Sequence, residues 1–111
     1  MKHLFTASLL AICSAAQAEF WDGNRLLERM TGSQGDRAVA IGYVMGAADA
    51  TRGIAFCPPS PTITAGQVYD MVRIALEQTP SIRHLSGDVI VGAALGVTWP
   101  CSKGNSGGRQ L

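Results

Sequence analysis

The sequence predicts an all-α fold: a small compact bundle of about four helices, tied by one disulfide and preceded by a cleavable signal peptide. Three observations predict it. Apolar residues recur at helical spacing between breaks marked by Pro and Gly. No stretch alternates as a half-buried strand does. Removal of an N-terminal export signal leaves two cysteines to pair.

The elements follow in chain order. Lys2 and His3 form a short positive region, the apolar stretch LFTASLLAICSAA follows, and Ala16–Gln17–Ala18 has the small-x-small pattern that signal peptidase cuts. The apolar core is shorter than the roughly 20 residues a spanning helix needs. Lipidation at Cys13 is the competing reading, with Leu10 three residues upstream, although Ile12 is bulky for such a site. Residues 1–18 are read as the signal peptide, 19–101 as one helical domain, and 102–111 as a flexible Gly- and Ser-rich tail.

In FWDGNRLLERM, Leu26, Leu27 and Met30 share one side of a short helix with Asp22 as its N-cap. TGSQGD is a turn. Asp36 is expected to cap a second helix that carries Ile41, Val44, Met45 and Ala48 inward at the i, i+3, i+4, i+7 spacing. That helix fades near Gly53, and the prolines of FCPPSP force an extended loop. Thr64 and Gln67 fit a capping box ahead of the stripe Val68, Met71, Val72, Ala75 and Leu76, which Pro80 ends. Ser86 is expected to cap the last helix, with Val89, Ile90, Ala93, Ala94 and Val97 inward and Pro100 as its stop. An extra turn within a loop is compatible with this pattern.

The glycines of GYVMGAAD need an account, since each costs about 1 kcal/mol against alanine inside a helix. Arg37, Asp49 and Arg52 bracket the apolar run, which is too short to span a bilayer. Ala38, Gly42, Gly46 and Ala50 lie four apart, and Gly92 and Gly96 repeat the device in the last helix. Small residues let helix axes approach closely. The expectation is therefore a tight crossing of the second and last helices at Gly42, Gly46, Gly92 and Gly96. A disulfide would pin that crossing, because Cys57 follows one helix and Cys101 the other.

Cys13 leaves with the signal, and two cysteines in an oxidising compartment most often pair; two free buried thiols are the alternative. Nine Lys and Arg against eight Asp and Glu leave a net charge of +1, so no basic field exists to hold nucleic acid. After signal cleavage nothing in the pattern calls for stable membrane insertion. Catalysis has little to build on: the mature chain keeps one histidine, His84, and no cluster of His, Cys and carboxylates has metal-ligand spacing. The expectation is a non-enzyme without metal or cofactor.

FWDGNRLL, GYVMGAAD, FCPPSPTITAGQV, TPSIRHLSGDVIVGAAL and WPC occur in this order between Phe20 and Cys101. This pattern resembles the Tai-type immunity proteins, also called the Rap/Tai family. The resemblance implies a small all-helical periplasmic protein, often a homodimer. Its partner would be a cell-wall amidase effector delivered by type VI secretion, a cysteine peptidase-like enzyme whose cleft the immunity protein plugs. Many members carry further cysteines at the end of the first helix and early in the second. Here those places hold Met30 and a residue near Ala40, so one extra bridge is lost.

Candidate partner-binding residues are Arg83, His84, Asp49 and Tyr43. The segment TPSIRHLSGD sets Arg83 and His84 beside Ile82 and Leu85. It reads either as a loop that enters an enzyme cleft, with Arg83 as an anchor, or as a plain connector covering the core. Asp49 ends an apolar helix face and either holds loop amides or an arginine, or meets a partner. The Tyr43 ring packs, and its hydroxyl needs a partner if buried. The competing function class is a periplasmic acid-stress chaperone, whose fold opens as carboxylates protonate.

Overall fold

The computed structural model describes residues 20–60 and 62–102. The expected signal peptide and all of the expected tail beyond Ser102 lie outside the described residues. Among the described residues four helices run in order: α1 (Gly23–Met30), α2 (Gln34–Thr51), α3 (Ala65–Gln78) and α4 (Gly87–Thr98), with a short 3₁₀ turn at Pro80–Ile82 between α3 and α4.

Local chemistry sets the helix starts. The Asp22 side chain accepts the Arg25 N–H at 2.8 Å and caps α1. Thr64 and Gln67 form the expected capping box on α3, each side chain accepting the other residue's N–H. The second helix differs from expectation. Ser33 is its N-cap, and Asp36 sits three residues inside as the reciprocal partner. Asp36 also accepts from Arg29 at 2.6 Å, which joins the end of α1 to the start of α2. Ser86 occupies the N-cap position of α4, but its hydroxyl donates to the Asp88 carboxylate instead of accepting a backbone N–H.

One core gathers all four helices: Leu26 and Met30 of α1, Ala40, Val44 and Ala48 of α2, Val68, Val72 and Leu76 of α3, and Ile90, Val91 and Leu95 of α4. Phe56 closes it from the loop after α2. Full burial of a Leu or Val side chain is worth about 1.5–3 kcal/mol. Tyr69 of α3 donates to the last carbonyl of α1, at Met30, over 2.6 Å. Met30 and Ala40 are both buried in this core.

Two inward faces were misassigned from the pattern. On α2 it is Ala40 that points in, while Ile41 is exposed. On α4, Ile90 is buried as expected, but Val91 and Leu95 take the inward places assigned to Val89 and Val97, which are exposed, as is Ala93. A helix apolar on every side offers no contrast from which a face can be read.

The glycine crossing is only half as expected. A Cβ on Gly92 would lie 2.9 Å from the Ala55 Cβ, and one on Gly96 would lie 2.6 Å from the Ala55 carbonyl oxygen. These two glycines do admit a close neighbour, but it is the turn after α2, not α2's own glycines. Gly42 and Gly46 meet nothing within 4 Å and face outward. The reason is geometric: residues two apart on a helix are about 200° apart around its axis, so burying Val44 turns both glycines away. Gly53, at φ 76°, supplies the reversal that swings Ala55 onto α4. The Cys57–Cys101 disulfide forms just beyond, and the Cys57 N–H donates to the Trp99 carbonyl at 2.8 Å.

Candidate functional site

The link between α3 and α4 is fixed from several directions. In the 3₁₀ turn the Arg83 N–H donates to the Pro80 carbonyl, and the Leu85 N–H then donates to that of Ile82. The start of α1 lies alongside: the Gly23 N–H donates to the Leu85 carbonyl and the Asn24 N–H to that of Arg83, both at 3.0 Å. In return the Gly87 N–H donates to the Trp21 carbonyl at 2.8 Å. A side chain on Gly23 would collide with the backbone of Arg83, its Cβ lying 2.8 Å from the Arg83 Cα. The absence of a side chain is what lets the loop seat.

Arg83 does not reach outward. Its Nε donates to the Leu76 carbonyl at 2.7 Å and its Nη2 to that of Glu77 at 3.1 Å. The guanidinium thus satisfies the last carbonyls of α3, where a cation is also favoured by the helix dipole. Ile82 packs half-buried on the core, whereas His84 is exposed and Leu85 remains 39% exposed.

The loop runs directly into an open groove of about 630 Å³. Gly42, Gly46 and Ala47 lie along its α2 side; Phe20, Tyr43, Ser86 and Asp88 complete its lining. Phe20 is 97% exposed at this edge. The Tyr43 ring stacks on Trp21, with centroids 4.8 Å apart, and the Arg29 guanidinium stands over Trp21 at 5.7 Å. The Tyr43 hydroxyl presses so close to Gly87 that a Cβ there would lie 2.5 Å from it. Burial raises the Tyr43 pKa above the ordinary 10.0; the Asp88 charge adds to that, and the Asp88 backbone N–H opposes it. The Asp88 carboxyl is held below its ordinary 3.8, chiefly by the Ser86 hydroxyl, so it stays charged at the groove's margin.

Tyr43, Arg83 and His84 therefore fall in one continuous region, loop plus groove. Asp49 does not. It is exposed and lines a separate pocket of about 40 Å³ with Arg52, Phe56 and Ile63. Sequence reasoning missed Gly23, Phe20 and Asp88, and read Ser86 only as a helix cap. Only the proximity of Asp88 to the expected cap could have marked it.

The family model of the Rap1a immunity proteins matches residues 6–101. The chain belongs to the Rap1a immunity protein family. A Rap1a-type immunity protein binds a cognate effector, and such proteins are generally not enzymes. No curated protein matches the chain significantly. No helix among the described residues is long and apolar enough to cross a membrane.

Proposed function

We propose that this chain is a periplasmic immunity protein that inhibits a cell-wall amidase delivered by type VI secretion. It acts by binding alone, occluding the enzyme's cleft. The observation that carries the reading is the hydrogen-bonded loop 82–85 of a Rap1a-family chain, which leaves His84 exposed and Leu85 39% exposed beside an open groove. On this reading the loop enters the enzyme's cleft, and the groove next to it receives the cleft's rim. An apolar side chain flanked by a hydrogen-bonding one suits a site that offers an apolar subsite next to an acceptor.

Asp49 stands outside this region, so its contribution to effector binding is expected to be small. The homodimer implied by the resemblance is part of the same reading, and sedimentation at micromolar concentration tests it. The acid-chaperone alternative draws no support from the core. No polar or charged side chain is buried among the described residues, so acid meets no buried carboxylate whose protonation would open the fold.

The test is co-purification with candidate cell-wall amidases, followed by an assay of stem-peptide cleavage. A stoichiometric complex without cleavage is the expected result. Undiminished cleavage in the presence of excess folded protein would refute it.

A further inference from the structure

We infer that Arg83 and Gly23 are positioning residues for the loop: they set residues 82–85 in their docking shape before a partner arrives. This rests on the inhibitor reading above and says which residues make that loop effective.

The loop is restrained far more than its buried contacts require. The Arg83 guanidinium is tied to two carbonyls at the end of α3. The carbonyls of Arg83 and Leu85 each accept an N–H from the first turn of α1. Gly23 permits that approach because a Cβ there would meet the Arg83 Cα at 2.8 Å and its carbonyl oxygen at 2.9 Å. A connector whose only task was to close the core would bury its apolar side chain. Here only Ile82 turns toward the core, and Leu85 and His84 are left facing solvent.

Restraint without burial matters for binding. A loop that is already ordered loses less conformational freedom when it docks, and the saving appears as affinity. Arg83 acts through the residues beside it: its side chain faces α3 while the two following side chains face outward. Its contribution to affinity is separate from any contribution to stability.

The experiment compares Arg83→Met, which keeps the stem and removes the donors, with Arg83→Lys, which restores one charged donor. Gly23→Ala is made in parallel, and Leu85→Ala serves as the variant lacking a contact residue. Each is measured for helical signal, for amide exchange at Leu85 and Gly87, and for binding to the purified cell-wall amidase. Arg83→Met is expected to keep its helices, to exchange faster at both amides, and to bind the amidase about tenfold more weakly, equivalent to about 1.4 kcal/mol. Arg83→Lys is expected to recover part of that affinity. A purely structural role would lower the melting temperature and leave the affinity of the folded fraction unchanged. Arg83→Met that exchanges faster yet binds like wild type would overturn the inference, as would unchanged exchange. If Gly23→Ala does not fold, the Arg83 pair decides. If wild type itself fails to bind the amidase, the inhibitor reading falls first and takes this inference with it.

Discussion

Gly92 and Gly96 in α4 share the four-residue spacing of Gly42 and Gly46 in α2, yet the two pairs do opposite things. The α4 pair is pressed against Ala55, with no space for a methyl group at either position. The α2 pair has open space before it and lies along a groove. Spacing alone therefore does not decide what a pair of small residues does; the neighbours that bury the helix decide it. In α4 the glycines adjoin the buried Val91 and Leu95, one residue round the helix. In α2 they stand opposite the buried Val44. A glycine that packs nothing keeps its helix penalty of about 1 kcal/mol without return inside the chain, which fits a surface kept bare for another protein.

The contrast can be broken in several ways. The largest effect is expected from Cys57→Ser with Cys101→Ser, because the bridge pins the same turn that covers the α4 glycines. For a separation of 44 residues the chain-entropy relation gives about 4 kcal/mol, read as a lowered midpoint in chemical denaturation. Gly96→Ala comes next. Its methyl would strike the Ala55 carbonyl, and overpacking of that kind costs about 1–3 kcal/mol, more than the helix propensity gained. Gly42→Ala should do the reverse and stabilise by about 0.5–1 kcal/mol. Destabilisation by Gly42→Ala would show that this face is packed after all.

The smallest effect is on the acid side. The Asp36 carboxyl is held below its ordinary 3.8, first by the Ser33 hydroxyl and then by Arg29, and that of Asp88 is held down by Ser86. A carboxylate with a depressed folded pKa lends stability that is complete above its unfolded value and is lost as pH falls through the folded one. Melting should therefore stay level from neutral pH to about pH 5 and decline below about pH 4. In Asp36→Asn that decline should be shallower.

Much of this architecture was legible because its causes are local. Asp22, Thr64 and Gln67 cap helices through partners three residues away, and the prolines mark where helices stop. The pairing of Cys57 with Cys101 followed from their number once the expected leader was set aside. The inward face of α4 was not legible, since Val89, Ile90, Val91 and Leu95 spread apolar surface around the helix. Ser33 was overlooked although Ser-x-x-Asp is itself a capping pattern. The site was the least legible part. TPSIRHLSGD stood out as a loop, but the seat that Gly23 gives Arg83 joins residues distant in the chain, and no spacing rule connects them.

The central claim is that this loop and groove form the face that meets the effector, and amide exchange on the complex with that effector tests it most directly. The account predicts new protection over residues 82–88 together with 42–47. Protection confined to the opposite groove between α3 and α4, where Met71, Ile74, Ala94 and Val97 lie, would contradict it.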